Sequence, residues 1–209
     1  YKRLSFTAFG GGNALTRYGT TDNTVTRHVT ADVGYEQPVT SWWDASLNAT
    51  YNYTHNKFVA EEKARDYVIE ATNHIRLPND AKLVFGGLAY SLGGWGARGT
   101  RRHLAPYSET RWSGYAQVDV HAAEKLKLIG GGQLNKVEGH EVDLVPRLGA
   151  IFNATPSLGA KLLYGQAFRS PFAVELTIDV PNAIRGNAHL KPERITTIDA
   201  QAFYNGPHL

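Results

Sequence analysis

Asp44-Ala45-Ser46-Leu47-Asn48-Ala49-Thr50-Tyr51-Asn52-Tyr53-Thr54-His55-Asn56-Lys57 is the stretch on which the architecture turns. Asp44, Ser46, Asn48, Thr50, Asn52, Thr54 and Asn56 occupy every second position. Ala45, Leu47, Ala49, Tyr51 and Tyr53 fill most of the alternate ones. A β-strand turns successive side chains to opposite faces, so this is a ribbon with one wholly polar side and one largely apolar side. Strands of ordinary globular proteins run to ~5–6 residues, and this ribbon is more than twice as long.

The same alternation spreads outward from it. His28, Thr30, Asp32, Gly34 and Glu36 oppose Val29, Ala31, Val33 and Tyr35. Tyr115, Gln117, Asp119 and His121 oppose Ala116, Val118 and Val120, and Thr197, Asp199 and Gln201 oppose Ile198, Ala200 and Ala202. Helical periodicity is nearly absent. Leu126-Lys127-Leu128-Ile129 and Leu162-Leu163-Tyr164 blur the pattern for a few residues. Tight reversals are expected at 37–40, 77–80, 155–157 and 205–207, which carry Pro, Asn, Asp, Ser or Gly, and at Ala122-Ala123-Glu124. Longer connections are expected at 10–23, 59–65, 93–109, 137–141 and 170–192. Strands are then predicted over 3–10, 24–36, 44–57, 66–77, 81–92, 110–121, 125–136, 143–154, 158–169 and 193–204.

Short and long connections alternate along the chain, which gathers the short turns at one end of the sheet and the long loops at the other. Transmembrane β-barrels have this asymmetry, with strands that alternate apolar-out and polar-in. The reason is that hydrocarbon satisfies no backbone polar group, so a sheet within it must close on itself. A soluble β-sandwich or secreted β-solenoid also alternates and remains an alternative. Trp42 and Trp43 beside a short turn, and Tyr107 and Trp112 beside a long connection, fit aromatic girdles at two interfaces and equally fit local clusters over a core.

Composition narrows the function. With mean hydropathy −0.34 and 20% charged residues, no window approaches the ~18 consecutive apolar residues of a membrane helix. The absence of cysteine excludes disulfides and thiolate metal sites. A formal net charge of +3 is too mild to imply nucleic acid. The eight histidines, at 28, 55, 74, 103, 121, 140, 189 and 208, are dispersed rather than grouped as ligands. Ser, His and Asp show no strand–turn–helix nucleophile elbow. Gly10-Gly11-Gly12 and Gly130-Gly131-Gly132 precede no helix and so are not phosphate loops. Catalysis is not expected, and neither is a cofactor.

Residues 145–204 add a resemblance. They read Val145-Pro146-Arg147-Leu148-Gly149-Ala150-Ile151-Phe152, then Lys161-Leu162-Leu163-Tyr164-Gly165-Gln166-Ala167-Phe168-Arg169-Ser170-Pro171. Glu175-Leu176 follows, and then Gly186-Asn187-Ala188-His189-Leu190-Lys191-Pro192-Glu193. This resembles the barrel of TonB-dependent receptors, with its "PRLG" strand, "YG-x-AFR-x-P" strand end and "N-P-x-LKPE" approach to the next strand. Tyr115-Ala116-Gln117 and Leu128-Ile129-Gly130-Gly131-Gly132 resemble the preceding strand pair. One departure is Ala188, where the family carries Pro.

The resemblance implies an all-β, antiparallel transmembrane barrel, of which residues 1–209 are a part. About ten of about 22 strands are present, with the plug domain, the N-terminal TonB-contacting box and the aromatic C-terminal strand expected to lie outside this sequence. Arg147, Phe168, Arg169, Pro171, Glu175, Leu176, Asn187, Leu190, Lys191, Pro192 and Glu193 are the motif residues, and Arg169 and Glu193 are expected to pair across the long loop as a structural corner. The implied function is uptake across the outer membrane of a Gram-negative bacterium of a scarce ligand, such as a ferric siderophore, cobalamin, haem or a glycan, powered through TonB. A passive porin or a structural outer-membrane barrel is the competing reading.

One loop carries a candidate binding site. Trp95, Arg98, Arg101, Arg102 and His103, with Arg111 beyond, lie in or beside a segment that has no carboxylate from Trp95 to Ser108. Guanidinium forks suit carboxylate, phosphate and catecholate-like oxygens. An anionic metal chelate, lipopolysaccharide phosphate or plain solvent are the alternatives for what this loop meets.

Overall fold

The computed structural model describes residues 2–16, 23–57, 60–98 and 101–206. Ten strands form one antiparallel meander: β1 (Arg3–Thr16), β2 (Asn23–Pro38), β3 (Trp43–Lys57), β4 (Glu61–Arg76), β5 (Lys82–Arg98), β6 (Arg101–Ala123), β7 (Leu126–Val137), β8 (Val142–Asn153), β9 (Leu158–Arg169) and β12 (Glu193–Tyr204). Each pairs with its neighbours in chain order, and β12 pairs with β9. The excursion between them holds a short helix α1 (Ala173–Thr177) and a small ribbon of β10 (Asp179–Val180) with β11 (Ile184–Arg185).

The expected strands are all there, and several are longer than expected. β5 runs on to Arg98 and β6 begins at Arg101, so the long connection expected over 93–109 is mostly paired strand. Likewise β4 starts at Glu61 and β1 reaches Thr16. The cause lies in the ladder, because each added pair satisfies backbone groups whatever the side chain is, so a tall hairpin outruns its hydrophobic pattern. Register slips between Gly94 and Ala97 mark where that hairpin bends.

Facing residues of paired strands point to one side of the sheet, so the register sorts the chain into two surfaces. One surface is polar. Asp32 accepts hydrogen bonds from Thr50 at 2.7 Å and Asn48 at 3.2 Å; Asn52 accepts from Thr30 at 2.7 Å and donates to Asp66 at 2.9 Å. Lys127 pairs with Asp119 at 2.8 Å, and Ser113 and Gln133 both donate to Asn135 at 2.7 Å.

The other surface, followed from the short-turn ends, holds no Asp, Glu, Lys, Arg or His as far as Val29 in β2, Tyr53 in β3, Tyr67 in β4, Gly93 in β5, Ser108 in β6, Leu134 in β7, Val142 in β8 and Gln166 in β9. Its large side chains lie open: Leu47 is 51% exposed, Ile69 53%, Leu162 54% and Ile198 70%. Among the described residues no second sheet packs against them, which removes the sandwich. At the short-turn end Trp43 Nε1 donates to Asn73 Oδ1 at 2.9 Å and its ring stacks on Trp42 at 6.3 Å, while Trp112 is 59% exposed on the same apolar surface. Tyr107, expected to share the girdle, belongs to the polar surface instead, facing Gly94.

Tyr115 crosses the polar surface above Gly86. Its hydroxyl shares a hydrogen bond with Thr72 at 2.6 Å and donates to Glu70 at 2.9 Å, tying β6 to β4 over the top of β5. A Cβ at position 86 would lie 2.5 Å from that hydroxyl and 2.4 Å from Ala71 O. Gly86→Val is therefore expected to displace the tyrosine and destabilise the barrel by about 1–3 kcal/mol, the usual cost of overpacking. Denaturant titration of the refolded parent protein reads this; Tyr115→Phe keeps the ring and is expected to cost less.

Candidate functional site

The segment after β9 turns back over the polar surface at the long-loop end. It is fastened at its root. Arg169 bridges Glu175 at 2.9 Å and Glu193 at 3.1 Å, and its guanidinium lies 5.4 Å from the centre of the Phe172 ring. The Arg169–Glu193 corner expected from the sequence is thus formed, with Glu175 as a second carboxylate. Glu175 also accepts the Phe172 N–H at 2.7 Å, so one side chain caps α1 and holds the arginine. Arg169 and the Phe172 N–H together hold the Glu175 carboxyl below its ordinary value.

The far end of the excursion is tied to the same helix. Gly186 N donates to Ile178 O at 2.7 Å, and Asn187 N to Glu175 O at 2.9 Å. A Cβ on Gly186 would come within 2.9 Å of Glu175 O and 2.8 Å of the Leu176 carbonyl carbon, so only glycine allows this approach. Ala188, which replaces the family's proline, leaves the turn closed: Asn187 Oδ1 accepts from His189 N at 2.9 Å and Asn187 O from Leu190 N at 3.2 Å. Leu190, Lys191 and Pro192 then lead into Glu193 and β12. Ile178 bridges Leu104, and α1 and β10 rest on β6. Ser170 and Pro171 are buried beneath.

Beside this inward segment lies a buried charged cluster centred on Glu109, a residue with no part in the sites expected from the sequence. Glu109, 5% exposed, accepts hydrogen bonds from Tyr107 and Arg111. Arg111 also sits 5.5 Å from the centre of the Tyr90 ring. Asp143, 9% exposed, is paired with Arg194 from β12, closing the gap where the β8–β9 ladder ends at Arg147 beside Pro146. Proline has no N–H to continue the ladder. Tyr107-x-Glu109-x-Arg111 is itself a period-two signal, split by the boundary expected between the connection ending at 109 and the strand starting at 110.

The expected site residues therefore part company. Trp95 stands opposite Lys63, whose Nζ lies 5.5 Å from the centre of the indole ring, on the apolar surface's rim; Arg111 belongs to the polar surface. Arg98 and Arg101 face each other across the hairpin top, and the side chains of Arg98, Arg101, Arg102 and His103 lie outside the described residues. Arg147 stands on the polar face of β8 between Gly131 and Gly165, with both of its cross-strand neighbours lacking side chains. Phe168 lines a cavity of about 250 Å³ with Tyr90, Arg111, Asn135 and Val137. Among the described residues no His, Asp or Glu cluster suits a metal ion.

Comparison with known proteins follows the same lines. Residues 103–207, half of the chain, match the family described as TonB dependent receptor-like, beta-barrel. The fold is similar to the copper transporter OprC (TM-score 0.79, 17% identity), covering 98% of this chain and 40% of that one. It is similar also to a ferric enterobactin receptor of Pseudomonas aeruginosa (TM-score 0.82, 14% identity), covering 99% of this chain and 38% of that one. The siderophore receptor PirA of the same species aligns at a TM-score of 0.71 and 15% identity over 97% of this chain and 46% of its own. No curated protein matches the sequence. This chain thus spans less than half the length of the solved proteins it is similar to.

Because Glu175 titrates from a depressed value, its contribution is complete above the carboxylate's ordinary 4.5 and is lost as pH falls through the lower folded value. Hydrogen exchange at the Gly186 and Asn187 amides is expected to be slow and constant between pH 5 and 7, after correction for intrinsic rates, and to lose protection in stronger acid. Glu175→Gln is expected to remove that acid dependence.

Proposed function

The chain belongs to the TonB-dependent receptor family, as part of its β-barrel, and from this we propose that it forms the wall of an outer-membrane receptor that takes up a scarce ligand with energy relayed by TonB. The observation that carries the reading is the chemistry of the two faces. An uncharged surface runs about ten residues up from the short turns, or roughly 25 Å along the axis at ~3.3 Å per residue and a tilt near 40°. That is the ~25 Å height of the apolar band of an outer-membrane barrel. Over the same span the opposite face carries Asp32, Asp66, Glu70, Asp119, Lys127, Arg147 and Lys161, which suits a wet or filled lumen.

The ligand class follows from the loop end. The anionic metal chelates, with ferric siderophores foremost, are the substrates proposed here, because Arg98, Arg101, Arg102 and His103 follow closely in a stretch that has no carboxylate from Trp95 to Ser108. The solved relatives in copper and siderophore uptake support that choice. Outer-leaflet lipid, including lipopolysaccharide, surrounds the wall. The short turns would face the periplasm, and the inward segment from Ser170 to Pro192 would narrow the lumen on the outside.

Two measurements test this. In the full-length parent receptor, Arg101→Ala with Arg102→Ala is expected to weaken binding of a ferric catecholate tenfold or more at low salt; unchanged affinity removes the chelate assignment. Ile69→Arg, at mid-height on the apolar surface, is expected to cost about 2–4 kcal/mol in a bilayer refolding titration. A cost near zero, or a parent protein that is monomeric in plain buffer, removes the membrane placement.

A further inference from the structure

Above the uncharged band, the apolar surface ends abruptly in cations. Arg27 on β2, Lys57 on β3 and Lys63 and Arg65 on β4 all fall on this outward side of the sheet, with His55 among them and, among the described residues of these three strands, Glu61 as the one acidic group. The register places His55 between Arg27 and Lys63, and Arg65 opposite Tyr53. Glu61 is bound to His55 at 3.0 Å and to Lys63 at 3.0 Å, so its charge is already engaged. Among the described residues Arg27, Lys57 and Arg65 form no ion pair; Arg27, Lys57 and Arg65 are also exposed.

A cleft opens within this group. Its volume is about 430 Å³, and Tyr53, Lys63, Arg65, Gly93 and Trp95 contribute to its lining. The glycine at position 93 leaves the floor low, while Trp95 and Tyr53 give apolar flanks and Lys63 and Arg65 give donors. Such a cleft suits a group that is anionic at its head and greasy below it. Cations this far up a lipid-facing wall sit where hydrocarbon gives way to headgroups, a height at which long side chains extend to meet phosphate.

Resting on the outer-membrane placement proposed above, we propose that this cleft is a docking site for the phosphate groups of outer-leaflet lipid. Arg65 and Lys63 bind the phosphate, and Tyr53 and Trp95 flank the glycan or acyl root. Arg27 and Lys57, on neighbouring β2 and β3, add attraction from one side. Glu61 tempers the site by sharing Lys63, so the cleft favours a polyanionic headgroup over a singly charged one.

The full-length receptor in detergent, titrated with diphosphoryl lipid A and read by native mass spectrometry, tests this. At about fivefold per removed cation near an anionic lipid surface, Lys63→Gln with Arg65→Gln is expected to weaken lipid A binding about 25-fold. Glu61→Gln is expected to strengthen it, and dephosphorylated lipid A to bind the native protein at least as weakly as the double variant, which keeps Arg27 and Lys57, binds the phosphorylated form. Lys161→Gln, which removes a cation from the polar surface of β9, is expected to change nothing. The site is overturned if the double variant binds like the native protein, or if Lys161→Gln weakens binding equally. Heat-modifiable mobility on electrophoresis establishes that each variant is folded. A detergent-requiring receptor that still binds its chelate while ignoring these substitutions refutes the lipid site alone; a parent protein soluble without detergent refutes the placement beneath it.

Discussion

Every feature of this chain is subordinate to one requirement: a sheet whose two faces meet different surroundings must satisfy its backbone sideways. Each strand gives its N–H and C=O groups to its neighbours, so the faces are left free to differ completely in chemistry. That freedom explains why side chains as disparate as Asp32 and Val33, or Asp66 and Tyr67, can sit next to each other in sequence without conflict. It also explains why the polar face is a mesh of hydrogen bonds between side chains. Asp32, Asn48, Thr50, Asn52 and Asp66 satisfy one another across three strands, and in a poorly hydrated lumen unmet groups of this kind would cost ~1–3 kcal/mol each.

The excursion between β9 and β12 obeys the same logic by different means. It leaves the ladder, so its backbone groups need other partners, and it finds them in a knot around Glu175 and Gly186. Individually the ion pairs at its root are exposed and contribute little. Their value is geometric, because one guanidinium contacts both carboxylates and an aromatic ring, which fixes where the segment departs and returns.

Period two made the sheet legible from the residues alone: the 44–57 ribbon, the order of strands and the short turns near 37–40, 77–80, 122–124 and 155–157 appear in the structure, while the turn expected at 205–207 runs outside the described residues. The motif corner at Arg169 and Glu193 was legible too, through resemblance rather than pattern. The long-loop end was not. Strands there continue past the point where their side chains alternate, since the ladder is indifferent to side chains once a hairpin is nucleated. Reading Gly93–Glu109 as loop concealed Glu109 and the face that Tyr107 shares with it, and it grouped Trp95 with Arg111 although the register sets them on opposite faces. Asp143 and Arg194 are 51 residues apart, and nothing local announces their meeting.

The fastening of the Ser170–Pro192 excursion has a bearing on how such a wall diversifies. Its constraints are concentrated at the two ends, in Arg169, Glu175, Gly186, Asn187 and Glu193, whereas residues 181–185 are all exposed. The middle is in effect an interchangeable cassette, whose side chains can be rewritten while the strands on either side keep their register.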